Sequence, residues 1–346
     1  MSHCKKIKSQ SGFSLIELMV AIVIGMLIIL AVLNLFLVSA RTHKTTENLS
    51  RIQENARIAF EMMAFDLRQA AGTPCGVLTK TTNVINPSAS MPWFTTGLRG
   101  YEGGQSTGGT AASNRFEGTD ALIYGLPSNT GVVVTKHTAG GAAQFKVNTN
   151  DHDLSDGDVA MVCDNNLAVV FQVTNVNDSN NTVVHNTGNS QSPGNCSVKY
   201  VAGASCADSA LISGVVAPTA CGLLEDGSYY EFCKNSTLVK YMSTLWYVGC
   251  NGRAGCDALG GRSLYQVQFP NAAQEVVPDV QDMQIQYLAR GATEYVDASA
   301  VTDWSTVIAT RVSLTLVGPD SGVTTDSDQT QRLTRTVSHV VNLRNQ

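Results

Sequence analysis

The stretch Gly12-Phe13-Ser14-Leu15-Ile16-Glu17, followed by an apolar run from Leu18 to Val38 broken only by Asn34, decides how the rest of this 346-residue chain is read. About 20 consecutive apolar residues cover the hydrocarbon core of a bilayer, so the run is long enough to span one. Glu17 sits near its start, where an unpaired carboxylate would be costly. Ahead of it lies Met1 to Gly12, a short polar leader with Lys5, Lys6 and Lys8 and no acid. A cleaved secretory signal has an apolar region of about 7–15 residues and needs no acid, whereas this one runs from Leu15 to Val38. A plain membrane anchor accounts for the lysines through the positive-inside tendency, but leaves Glu17 without a purpose.

A basic leader, Gly12, Phe13 and an acid at the fifth position after the cut together resemble the type IV prepilin signal. The resemblance implies cleavage between Gly12 and Phe13 by a prepilin peptidase on the cytoplasmic face, N-methylation of Phe13, and retention of the apolar helix in the mature protein. It also implies a partner for Glu17, the N-terminal amine of a neighbouring subunit. Breaking a buried charge pair strands a charge at a cost of several kcal/mol, although the pair itself adds little stability. Glu17 therefore reads as an assembly residue that sets axial register.

The composition agrees with export. Charged residues make up only 15% and glycine is abundant, which suits a loop-rich β-domain outside the cytoplasm. Removing the three leader lysines moves the formal charge from −5 to −8, and an acidic head argues against general attraction to nucleic acid. Of the nine cysteines, Cys4 lies in the leader; the other eight lie beyond the apolar helix. In an oxidising compartment they read as disulfides, and the absence of any C-x-x-C weakens zinc-ribbon and thioredoxin readings. Eight cysteines allow 105 pairings. Cys250-Asn-Gly-Arg-Ala-Gly-Cys256 is the best local pair, because its glycines permit a tight turn. Cys221–Cys233, Cys196–Cys206 and Cys75–Cys163 follow by elimination.

From Phe13 to about Ala71 there is no proline and a single glycine, Gly25. Beyond the membrane run, Leu49, Ile52, Ala56, Phe60, Met63 and Leu67 recur at three- and four-residue spacing, with Arg51, Glu54, Arg57, Glu61 and Arg68 on the other side. One continuous helix is expected over 13–71, membrane-spanning over 13–38 and amphipathic over 39–71, about 88 Å long at 1.5 Å per residue. Gly72-Thr73-Pro74 stops it, and the stripe reads as the face on which a sheet packs. Residues 72–119 are expected as a surface loop region, with Trp93 and Phe94 as its anchors. A β-rich head follows over 120–346, with strands at Ala121–Leu126, Gly131–Thr135, Asp158–Cys163, Ala168–Val176, Leu238–Val248, Ser263–Phe269 and Arg311–Val317. Residues 188–230 read as a disulfide-stapled insertion. The fold class is α+β: a long N-terminal helix packed on a disulfide-stapled antiparallel β-sheet head.

A second resemblance lies at the C-terminus. Val280-Gln-Asp-Met-Gln-Ile-Gln-Tyr287, Asp303-Trp304-Ser305-Thr306-Val307-Ile308-Ala309-Thr310-Arg311-Val312-Ser313-Leu314 and Val341-Asn342-Leu343-Arg344-Asn345 look like PilW-type minor pilins. The J-type pseudopilins of type II secretion share a weaker form of this ordering. Met283, Ile285 and Tyr287 alternate as one strand face, and Val312, Leu314 and Leu316 as another. Trp304 reads as a core or strand-entry anchor. Leu288-Ala289-Arg290 departs from the Gly-rich turn the family often has there.

Catalytic signatures are thin: no H-E-x-x-H, G-x-S-x-G or P-loop occurs, and an enzyme is not expected. His43, His137, His152, His185 and His339 read as surface or turn residues. Asp151, Asp153, Asp156 and Asp158 cluster oxygen ligands on a turn suited to Ca²⁺, but the spacing misses the EF-hand loop and acidic turns are common; no other cofactor is expected. A second acidic turn runs from Asp320 to Asp328. The basic C-terminal strand, with Arg332, Arg335, His339 and Arg344, lacks the interleaved aromatics of single-strand binders. The resemblance implies an inner-membrane, single-pass protein with a periplasmic head. It would pass to an extracellular pilus, at its tip, to prime or cap assembly. Implied partners are the other minor pilins, the major pilin, the prepilin peptidase/methyltransferase and the inner-membrane assembly platform. The alternatives are a J-type pseudopilin, or a tip adhesin or DNA-capture subunit.

Overall fold

The computed structural model describes residues 14–70, 72, 74–76, 80–86, 97–107, 114–187, 191–202, 206, 215–269, 271–322 and 331–344. Gly12, Phe13, Trp93, Phe94 and the Asp326–Asp328 part of the second acidic turn lie outside them. By contact the chain divides into two units, Met1–Arg51 with Pro319–Leu333, and Ile52–Gly318 with Thr334–Gln346.

Helix α1 (Leu15–Gln69) runs through both units. In the first unit its side chains from Leu15 to Val38 are mostly exposed, as expected of a segment made to face lipid or other helices. Just past that segment the hydroxyls of Thr42, Thr45 and Thr46 donate to the carbonyls of Val38, Arg41 and Thr42. These polar residues therefore satisfy themselves on the helix and do not interrupt it. Asn48 is fully buried. Its amide donates to Asp320 Oδ2 at 3.1 Å and its carbonyl oxygen accepts from the Asp320 backbone at 3.0 Å.

In the second unit the helix buries Ile52, Ala56, Ala59, Phe60, Met63, Ala64 and Leu67, the expected stripe extended by Ala59 and Ala64, whereas Leu49, expected to begin it, is only half-buried. Each large side chain in such a stripe contributes on the order of 1.5–3 kcal/mol of transfer free energy.

The main sheet holds eleven strands. They are β1 (Thr81–Asn83), β2 (Leu98–Tyr101), β3 (Ala121–Thr138), β4 (Gln144–Val147), β5 (Val159–Cys163), β6 (Ala168–Gln172), β7 (Asn175–Asn177), β8 (Thr182–Val184), β9 (Thr237–Cys250), β10 (Arg262–Gln268) and β11 (Gln274–Pro278). The order is β1-β6-β5-β9-β3-β4-β8-β7; β10 flanks β9, β11 flanks β10, and β2 flanks β3. β9 organises the sheet by pairing with β3, β5 and β10, and its Leu245, Trp246, Tyr247 and Val248 are fully buried. The second sheet has the order β13-β12-β14-β15, with β12 (Val280–Ala289), β13 (Val296–Asp297), β14 (Val307–Ser321) and β15 (Arg332–Asn342). Met283, Ile285 and Tyr287 of β12 and Val312, Leu314 and Leu316 of β14 form its buried face. Trp304 stands on the 3₁₀ turn that enters β14, its ring edge-on to Tyr287 at 4.8 Å. At the departure near Leu288, the register shifts and the chain turns through Gly291 at φ +82°.

Four disulfides staple the head: Cys75–Cys163, Cys196–Cys206, Cys221–Cys233 and Cys250–Cys256, the pairs set out above.

Three expectations need correcting. Residues 72–119 are not a surface loop throughout. They supply β1 and β2, with Leu98 and Tyr101 buried and Gly100 lying against Tyr287. Strands of three and four residues are too short to show a period in the sequence. The sheets are antiparallel except for β1, which runs parallel to β6. Finally, His137 and His185 are core residues, 4% and 0% exposed. They face each other Nε2 to Nε2 at 3.2 Å.

Candidate assembly surfaces and buried sites

Glu17 stands in the first turn of α1 and accepts a hydrogen bond from the Ser14 backbone at 3.0 Å. The Ser14 hydroxyl in turn accepts from the Ile16 amide at 3.3 Å. This is a capping box, an S-x-x-E that satisfies orphan amides reciprocally. The signature Ser14-x-x-Glu17 stood in the sequence beside the prepilin reading and was not used there. The same carboxylate thus starts the helix in an isolated chain. Gly12 and Phe13 lie outside the described residues.

On the second unit, α1 and β15 border a groove of about 600 Å³. Phe60, Ala64, Phe65, Val337 and His339 line it, with Arg57 at its rim, and His339 stacks near Phe60 at 5.4 Å. Phe65 is 65% exposed, and Ile58 and Met62 add apolar surface on the same helix. β15 is the outer strand of its sheet, with most side chains turned to solvent. Its hydroxyls ladder onto β14 through Ser313–Ser338 at 2.7 Å and Thr315–Thr336 at 2.9 Å. Arg332, Arg335 and His339 thus belong to an exposed strand beside an apolar groove, not to an aromatic-lined nucleic-acid channel.

The acidic turn does not converge. Asp153 accepts from the Thr130 hydroxyl, Asp156 from the Val176 amide, and Asp158 pairs with Lys240 at 2.8 Å. Asp151 donates its amide to Thr149 Oγ1. Three of the four carboxylates are committed to different elements, and among the described residues no three His, Cys, Asp or Glu side chains gather as metal ligands.

Two buried networks escaped the sequence reading. Asp66 on α1 accepts from Tyr124 and Gln266, and Trp246 donates to Tyr124. Burial pushes the Asp66 carboxyl up, against the three hydrogen bonds. Asp120 accepts from the Ile285 amide at 2.8 Å while its own amide donates to Met283, stitching the start of β3 to β12. Burial pushes its carboxyl up to about 6, with Glu102 and Asp282 adding to the rise and Arg115 opposing it. Arg115 itself reaches the carbonyls of Gln105, Glu102 and Thr119, tying the turn at 102–105 to the stretch that leads into β3. A lone Asp or Arg between turn residues carries no pattern that announces such roles.

A helix begun by a carboxylate cap, exposed and apolar for six turns, then buried along one stripe against a stapled β head, is the organisation of a pilin-class subunit. Residues 7–33 match the prokaryotic N-terminal methylation motif, and residues 246–345 match the type IV pilus-assembly protein W family. No curated protein matches the chain. With that fold, the two matches support a PilW-type type IV pilus pilin, and the long apolar N-terminal helix is consistent with membrane anchoring. The PilW match covers the end of β9, β10, β11 and the whole second sheet. Most of the eleven-stranded sheet lies outside it.

Proposed function

We propose that this chain is a minor pilin that primes, or caps, assembly of a type IV pilus, with its head in the periplasm before assembly and at the filament tip afterwards. The observation that carries the reading is the contrast along α1. Residues Leu15–Val38 bury almost nothing, so their apolar surface must be covered by lipid or by other helices. Assembly exchanges the first for the second, and Glu17 rejects helices docked at the wrong height. The head favours an end position: large additions outside the PilW-matched region would crowd lateral neighbours in a filament shaft. Other minor pilins, the major pilin and the assembly platform are the partners this requires. The Gly12–Phe13 bond is the cleavage site for the peptidase/methyltransferase.

The test is intact-N-terminus mass spectrometry of the protein recovered from sheared pili, paired with immunogold labelling. A methylated Phe13 terminus in that fraction with label at filament ends supports the proposal. Label along the shaft removes the terminal position. Processed protein confined to the inner membrane favours a secretion pseudopilin instead, and an intact Met1 terminus overturns the processing.

A further inference from the structure

Inside the lobe formed by β3–β8, two buried imidazoles face one another. His137, on β3, and His185, just after β8, approach Nε2 to Nε2 at 3.2 Å. Phe145 on β4, Phe171 on β6, Tyr200 and Phe232 surround them, with ring centroids 4.2–5.8 Å from one or both histidines. The Phe232 backbone amide donates to His137 Nδ1 at 3.0 Å.

That last bond assigns every proton in the pair. An acceptor nitrogen carries no hydrogen, so neutral His137 bears its proton on Nε2 and donates it to His185. His185 Nε2 is then the acceptor, and its proton sits on Nδ1, which has no hydrogen-bond partner among the described residues. Both basic lone pairs are therefore already occupied by N–H donors. A further proton can enter only by breaking the β3–Phe232 bond or the His–His bond, and it would set two N–H groups against each other in an apolar shell. The charged groups nearby do not help. Tyr200 is the titratable ring against both histidines, and its hydroxyl is unpartnered among the described residues. Asp164 is held by the Tyr230 hydroxyl, Lys199 by the Val215 carbonyl, and Asp178 lies 3.9 Å from His152. Lys136 and Lys234 are exposed and Glu231 is half-buried.

We propose that the His137–His185 pair is an acid-sensitive latch: closed it pins β3, β8, Tyr200 and the Tyr230–Phe232 segment together, and proton uptake releases them. Cys196–Cys206 lies beside Tyr200 and Cys221–Cys233 beside Phe232, so opening is local and reversible. Burial lowers both imidazoles from their ordinary value, His185 to about 3, which agrees with a closed state that excludes the proton.

Hydrogen exchange of the full-length protein in detergent micelles, from pH 7.5 to 4.5 and corrected for intrinsic rates, tests this on peptides covering 132–147, 182–187 and 230–234. With two protons taken up on opening, the opening constant rises about 100-fold per pH unit below about pH 6. In His185→Gln the amide oxygen still accepts from His137 but does not titrate, so the rise falls to about 10-fold per unit. Opening that is independent of pH, or equal slopes in wild type and variant, overturns the proposal. A second readout needs no variant: ¹³Cε1 signals of the two buried histidines stay in the neutral form while the lobe is protected. Titration near pH 6.5 without loss of protection refutes the latch.

Discussion

Tyr124 donates its phenolic proton to Asp66 Oδ2 across 2.8 Å, and the bond sets the height at which α1 meets the main sheet. Trp246 Nε1 donates to the same Tyr124 oxygen at 2.6 Å, and Gln266 reaches Asp66 at 3.0 Å from β10. One helix carboxylate therefore gathers side chains from three adjacent strands. The apolar stripe alone could slide by a turn; this polar cluster cannot, because a displaced Tyr124 or Trp246 would be buried unpaired. Tyr124→Phe removes the hub, strands the Trp246 indole N–H and leaves Asp66 with Gln266 alone, with an expected loss of about 2–3 kcal/mol. Asp66→Asn keeps an acceptor for Tyr124 and stays within about 1 kcal/mol of wild type. Denaturant unfolding of the two variants checks the order, and equal losses would place the constraint elsewhere.

Gly100 in β2 is fixed by Tyr287 in β12. A Cβ at position 100 would lie 2.0 Å from the Tyr287 hydroxyl oxygen and 2.5 Å from Cζ. Tyr287 is fully buried and wedged against Trp304, so it has no room to withdraw. Gly100→Ala is expected to lower stability by at least the 1–3 kcal/mol typical of overpacking. Shortening the opposing side chain in Gly100→Ala/Tyr287→Leu should recover part of the loss, which a double-mutant cycle of melting curves reads directly.

How far the chain could be read depended on period. The helix, most of its buried stripe and the seven strand segments carried runs long enough to show 3.6 or 2; the segments at 121–126 and 131–135 fuse into the single β3, and 168–176 divides into β6 and β7. Met283, Ile285 and Tyr287 announced their face by alternation alone. β1 and β2 gave no such run, and Leu98-Arg99-Gly100-Tyr101 became a strand only because β3 offers it an edge. His137 and His185 lie 48 residues apart and Asp66 and Tyr124 lie 58 apart. Pairing across such distances is decided by tertiary packing and leaves no local trace. Glu17 was read in the sequence only as an assembly residue; its capping role lay in the same six residues and needed the geometry to be seen.

The two roles of Glu17 can be separated. Glu17→Gln retains an acceptor for the Ser14 amide but removes the charge that would attract an N-terminal amine. Helix content and processing after Gly12 should match wild type, while recovery in sheared pili falls at least tenfold. Glu17→Ala loses both functions and shows no further drop. Wild-type recovery of the Gln variant would mean that hydrogen bonding, not charge, sets register.

The disulfides differ in how much chain they close. Cys75–Cys163 spans 88 residues and Cys250–Cys256 spans 6. Loop-closure entropy then predicts losses of about 4–5 and about 2 kcal/mol when each pair is replaced by alanines. The longer bridge also ties the chain just beyond α1 to β5, so its removal should release residues 74–86 to exchange while β9 stays protected. Denaturation under oxidising conditions, with exchange on the same samples, measures both effects.

Asp120 gives the head a pH dependence opposite in sign to that of the histidine pair. Its carboxyl is pushed up to about 6 by burial, above the ordinary 3.8, so the folded state holds the proton more tightly than the unfolded chain. The associated stability is complete below about pH 4 and is lost as pH rises through 6, on the order of 3 kcal/mol for a shift of this size. Asp120→Asn keeps an oxygen for the Ile285 amide and does not titrate. The difference in unfolding free energy between variant and wild type should therefore grow in the variant's favour from pH 4 to pH 7 and level off beyond. Because the histidines act equally in both proteins, taking the difference cancels their contribution. A flat difference would mean that water reaches the carboxylate and that Arg115 compensates its charge in full.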